Sequence, residues 1–110
     1  MIDQARLDEL AQDFGEEDLA EIIEVFLAET WEAIDALKDR VDTLSPDDQR
    51  DQFHFLKGCA RNIGASQFGD YCEKWEKVTQ PFQSSDYAQL RAEFDKVCDH
   101  LSGRGLRMSA

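Results

Sequence analysis

His54-Phe55-Leu56-Lys57-Gly58-Cys59-Ala60-Arg61-Asn62-Ile63-Gly64-Ala65 is the stretch from which the rest of the chain can be read. At about 100° per residue, with His54 set to zero, Phe53, Leu56, Cys59, Ala60 and Ile63 fall between about 140° and about 260°. That arc is a single apolar stripe, the buried side of an amphipathic helix. Gly58 falls at about 40°, Arg61 at about 340°, Arg50 at about 320° and Lys57 at about 300°. His54 therefore points away from the core, with three bases on one side and a glycine one turn on. A structural histidine sits on the apolar side with its ring nitrogens satisfied; this one does not fit that role. An exposed helical histidine by itself is ordinarily a solvated surface residue, so its neighbours decide how it is read.

Working outward, Ser45-Pro46-Asp47-Asp48 is a start signal for this helix: Ser45 can cap, Pro46 suits the first helical position, and Asp48 lies three residues after the cap. Gly64 should stop it. Upstream, a short helix is expected from about Asp3 to Asp13, ended by Gly15. Glu16, Glu17 and Asp18 then open a long helix, where acids suit the positive dipole end. Its stripe runs Leu19, Ile22, Ile23, Phe26, Leu27, Thr30, Ile34, Leu37, Val41 and Leu44. Downstream, Ser66 can cap a helix with Phe68, Cys72, Trp75, Val78 and Thr79 on one face, closed by Pro81. Ser84 or Ser85 begins the last helix, with Tyr87, Leu90, Phe94, Val97, Cys98 and Leu101; Gly103 and Gly105 break it.

Helical spacing throughout, without strand alternation, makes the chain all-α. Four long amphipathic helices with short connections predict an antiparallel up-down four-helix bundle with a short additional N-terminal helix. Residues 1–103 form this one domain, and 104–110 a flexible C-terminal tail. The length, 110 residues, suits one core. There are 24 acids against 12 bases, a net charge of −12, which argues against binding to nucleic acid or to anionic membrane. The chain has no apolar run long enough to span a bilayer and no secretory signal, so the cytoplasm is the expected compartment. Cys59, Cys72 and Cys98 lack metal-ligand spacing and are odd in number. Buried or half-buried free thiols are expected.

From Gln52 to Gly69 this acidic chain has no Asp or Glu. That window could tolerate a phosphoryl group, and His54 could carry it. Lys57 can bring a mobile ammonium beside phosphoryl oxygens. Gly58 leaves room above the ring, at a cost of about 1 kcal/mol relative to alanine, although it could equally permit close packing of a neighbouring helix. Arg50 and Arg61 either add attraction or merely solvate the face. His100, in the last turns of the final helix, reads as structural.

The order His-x-Leu-Lys-Gly, closing with Ile63-Gly64-Ala65 in a four-helix pattern, resembles the motif of histidine-containing phosphotransfer (HPt) domains, the intermediates of two-component phosphorelays. The resemblance extends over nearly the whole chain, including the acidic opening Gly15-Glu16-Glu17-Asp18. It implies that His54 takes a phosphoryl group at Nε2 from the aspartyl phosphate of one receiver domain and passes it to an aspartate of another. Lys57 and Gly58 would be its electrostatic and steric support. The partners implied are the receiver domain of a hybrid sensor kinase, a response regulator, or both; Mg²⁺ belongs to the receiver, and no cofactor or metal site is expected in this chain. A phosphocarrier of this kind is not an enzyme, and a monomer is expected. Beginning at its own methionine with no attached kinase, the chain reads as a stand-alone shuttle.

Some family members orient the histidine with a polar residue from the following helix; by spacing, Glu76 or Gln80 fills that slot. A carboxylate there would repel a phosphoryl group while favouring an imidazolium. Receiver docking should surround His54, using Phe55 at the border of core and solvent and a rim of Asn62, Gln67 and Arg61. Leu7, Leu10 and Phe14 would supply either further apolar docking surface or packing onto the bundle. The principal rival is a four-helix adaptor that binds a receiver or another signalling protein without being phosphorylated. An acidic adaptor or nucleic-acid mimic is a second rival, and two distant histidines with scattered acids supply no hydrolytic constellation.

Overall fold

The computed structural model describes residues 4–102; the expected tail 104–110, Gly103, Gly105 and the expected first helical residue Asp3 lie outside them. Four helices are present: α1 Gln4–Lys38, α2 Pro46–Asn62, α3 Ser66–Lys77 and α4 Ser84–Ser102. α1 is broken at Gly15, whose φ of 83° and ψ of 159° are open to glycine and strained for any residue with a Cβ. The expected short leading helix is therefore present, as an arm ahead of that break. The described residues form no strand.

α2 packs against α1 and α3, and α4 against α1 and α3, closing a ring of four neighbours around one core. Each helix contributes one stripe. Leu19, Ile23, Leu27, Thr30, Ile34 and Leu37 of α1, Phe53, Leu56 and Ala60 of α2, Phe68 and Cys72 of α3, and Leu90, Phe94 and Leu101 of α4 are buried. Thr30 is tolerated in this stripe because its hydroxyl donates to the Phe26 carbonyl at 2.7 Å.

The ends of α2 follow local chemistry. Ser45 Oγ accepts from the Asp48 N–H at 3.0 Å, and Pro46 opens the first turn. At the other end Gly64, with φ 77°, lets its own N–H reach the Arg61 carbonyl and the Ala65 N–H reach that of Ala60. This pair of bonds is the glycine-dependent helix stop known as the Schellman motif.

Three boundaries differ from expectation. α1 ends at Lys38, not at Leu44, because Arg40 and Thr43 close successive three-residue turns onto Leu37 and Arg40. Val41 and Leu44 still lean on the core from that connector, which is why they extend the apolar pattern. α3 ends at Lys77, so Val78 and Thr79 are not part of its face. The cause is Pro81, whose ring would collide with the carbonyl four residues back. The residue before α3 is Ala65, which offers no side-chain cap; Ser66 is the first helical residue.

Beneath the outer face of α2 and α3 lies an aromatic cluster. Phe53 stacks on Trp75 at 5.8 Å between ring centroids, and Phe82 meets both edge-on at 5.1 and 4.9 Å. Phe82 belongs to the α3–α4 connector, and Gln49 holds it there. The buried Gln49 amide accepts from the Phe82 N–H at 2.7 Å and donates to the Gln80 carbonyl at 2.9 Å. The buried Phe82 N–H would otherwise be left without a partner.

A candidate phosphoryl-acceptor site on the second and third helices

α2 carries His54 on the side opposite Phe53, Leu56, Cys59, Ala60 and Ile63, all of which are buried. The His54 side chain is 70% exposed. Glu76, in the last turn of α3, reaches across to α2 and uses both carboxylate oxygens there. Oε1 lies 2.5 Å from His54 Nδ1, and Oε2 accepts from Lys57 Nζ at 2.5 Å.

The chemistry of this bridge fixes the tautomer. Lys57 above all, and His54 with it, hold the Glu76 carboxyl below the usual glutamate range, so it is ionised and can only accept. Nδ1 must then carry the proton. In the neutral imidazole this leaves the Nε2 lone pair unprotonated as the ring's nucleophilic nitrogen. Glu76, expected to repel an incoming phosphoryl group, thus has its charge answered by Lys57 and sits on the Nδ1 side of the ring.

Lys57 itself differs from the mobile ammonium expected: its side chain is only 15% exposed and is held by Glu76. Gly58 is exposed, and a Cβ built on it would meet nothing within 4 Å. Close packing of another helix therefore does not explain this glycine; open space one turn beyond the imidazole is what it provides. Gly69 is the glycine that packing does explain, since a Cβ there would press on Arg61 Cγ at 3.3 Å. Gly58→Ala should consequently act in opposite senses, raising stability by about 0.5–1 kcal/mol in urea unfolding while slowing phosphoryl uptake.

The remaining candidates separate. Arg61 faces α3 acids, with Asp70 at 3.7 Å and Glu73 at 3.5 Å, and Arg50 pairs with Asp47 at 3.0 Å. Both bases are matched by carboxylates of the same surface. Gln80 does not join the site: α3 has already ended, and its carbonyl is engaged by Gln49. Phe55 is 47% exposed and Phe14 51%, whereas Leu7 and Leu10 are core residues and offer no docking surface. Packing of the leading arm on the bundle is the reason, reinforced where Arg6 Nε donates to the Asn62 carbonyl at 3.1 Å. Asn62 and Gln67 lie exposed on either side of the α2–α3 turn.

The three cysteines are free; Cys59 and Cys72 are buried and Cys98 half-buried. Burial pushes the Cys72 thiol up to about 12 and Cys98 up to about 11, so neither is a thiolate at neutral pH. Gln49 is the residue that sequence reading missed. Its signal was available: it lies four residues before Phe53, a polar side chain on the apolar stripe of α2.

The bundle thus presents an imidazole to solvent and holds it from behind with a carboxylate on the neighbouring helix. The family model of the Hpt domain matches residues 21–101, and the chain belongs to that family. Hpt domains are phosphotransfer modules of two-component signalling that interact with receiver domains; they are phosphocarriers, not enzymes. Among curated proteins and among solved structures, nothing matches the chain. No helix of the described residues is long and apolar enough to cross a membrane.

Proposed function

We propose that this protein relays a phosphoryl group between receiver domains through His54. Nε2 attacks the phosphorus of an aspartyl phosphate on a donor receiver, such as that of a hybrid sensor kinase, and the aspartate carboxylate leaves. The P–N bond then breaks when an aspartate of a second receiver, such as that of a response regulator, attacks in turn. Each receiver brings its own Mg²⁺, and the relay operates in the cytoplasm with a monomeric carrier. The observation that supports this reading is the Glu76 bridge: an acceptor on Nδ1 leaves Nε2 as the exposed nucleophile.

Glu76 also bears on the energetics of the step. With Nδ1 still protonated, substitution at Nε2 makes the ring cationic, and an ionised carboxylate 2.5 Å away stabilises that charge as it develops. Lys57, held on the same carboxylate, adds positive charge beside the ring. Gly58 keeps the approach to the ring clear.

Glu76→Ala is expected to slow phosphoryl uptake roughly tenfold, the worth of one charge-assisted hydrogen bond, while Glu76→Gln, which keeps an acceptor for Nδ1–H, falls between. Stopped-flow transfer from a labelled receiver measures both. The pH dependence has a definite sign. The lowered Glu76 carboxyl stabilises the fold above the ordinary glutamate range, and this contribution is lost as pH falls through its folded value. The Gln variant should therefore lose less stability on acidification than the wild type.

The relay reading is tested by a panel of purified, phosphorylated receiver domains. Acid-labile, base-stable phosphate should appear on this protein with at least one donor and move on to a second receiver. Binding without exchange across the panel would instead support the adaptor reading.

A further inference from the structure

The α1–α4 side of the bundle, across the ring from the α2–α3 face, holds a groove of about 480 Å³ lined by Lys38, Val41, Ser84, Tyr87, Ala88 and Arg91. Its electrostatics are unlike the rest of the molecule. In a protein of net charge −12, the groove lining contains two cations and no carboxylate. Arg6, Arg40, Arg50, Lys57, Arg61, Lys77 and Lys96 each pair with an acid within 4.0 Å, whereas Lys38, Arg91 and, on α3, Lys74 have no such partner among the described residues; of these three, Lys38 and Arg91 share one groove.

Arg91 is the more telling of the two. Its guanidinium carbon lies 4.0 Å from the centroid of the Trp31 ring, and its Nε is the one buried side-chain nitrogen or oxygen among the described residues with no hydrogen-bond partner. A guanidinium held against an aromatic face has lost part of its hydration, and no anion among the described residues pairs with it in its place. An arriving anion therefore gains more here than at a solvated surface base. Beside the two cations, Val41, Ala88 and the Tyr87 ring give the groove an apolar wall.

We propose that this groove is a second binding site, separate from the His54 face, for a small amphipathic organic anion: a carboxylate or phosphate held by Arg91 and Lys38, with an apolar or aromatic body against Val41, Tyr87 and Ala88. The volume is within the range of small-molecule sites, about 300–1,000 Å³.

The test uses phenyl phosphate as probe, with inorganic phosphate and phenol as its two halves, in NMR titrations of the intact protein that follow the Trp31 indole N–H and the Arg91 Nε–H. Phenyl phosphate should shift both resonances saturably and more tightly than either half. Arg91→Gln should weaken binding roughly tenfold, as expected for loss of a charge-assisted contact. Lys38→Gln, at an exposed position that leaves the core untouched, should weaken it several-fold, so the conclusion does not depend on the Arg91 variant folding normally. His54→Gln should leave binding unchanged, which keeps this site independent of the phosphotransfer reading. Absence of saturation, shifts confined to the His54 region, or equal affinity in Lys38→Gln and the wild type would overturn the proposal.

Discussion

His54→Gln is expected to abolish phosphate incorporation from a phosphorylated receiver while leaving the bundle folded. Glutamine preserves length and helix compatibility but supplies no ring nitrogen to attack phosphorus. The position is 70% exposed and makes one side-chain contact across to α3, so the change in stability should stay within about 0.5 kcal/mol. Circular dichroism and urea unfolding provide the control. Lost incorporation with an unchanged unfolding midpoint assigns the chemistry to this imidazole. Incorporation that persists in the variant would place the phosphoryl group elsewhere and remove the relay reading.

The largest effect on stability is expected at Phe82, far from the sequence motif. Phe82→Ala removes a fully buried ring that touches Phe53 and Trp75 together. The loss should be about 3–5 kcal/mol, a lost transfer term plus the cavity left behind. That is a large share of the 5–15 kcal/mol typical of a domain this size. The same cluster sets how α3 lies against α2, and Glu76 follows Trp75 directly on α3. Loosening it should therefore also slow transfer under conditions where the variant is still folded. Urea unfolding should show a lower midpoint with an unchanged slope; a midpoint close to wild type would mean that the connector contributes little to holding the two helices together.

What sequence could and could not reveal divides along physical lines. The outward placement of His54 and the burial of Phe53, Leu56, Cys59, Ala60 and Ile63 follow from the period of one helix, which needs no knowledge of neighbours. Ser45 and Gly64 mark the ends of α2 for equally local reasons, a side-chain cap and a positive φ. The ends of α1 and α3 were overextended because Val41 and Leu44 keep the apolar spacing from within a turn. Pro81, for its part, stops a helix four residues before itself, at Lys77. The site was legible only in half. Lys57 and Gly58 are local to His54, but the bridging role of Glu76 depends on how α3 lies across α2, and spacing alone left Gln80 equally eligible. Leu7 and Leu10 were ambiguous for the same reason: an apolar arm reads alike whether it meets its own bundle or a partner.

The most direct test of the account is to locate the phosphoryl group on the imidazole by nitrogen-15 NMR after transfer from a phosphorylated receiver. The predicted result is phosphorus bonded to Nε2 of His54, with the Nδ1 proton retained and hydrogen-bonded to Glu76. Phosphorus on Nδ1, which would require that bond to be broken, or on any other residue, would contradict it.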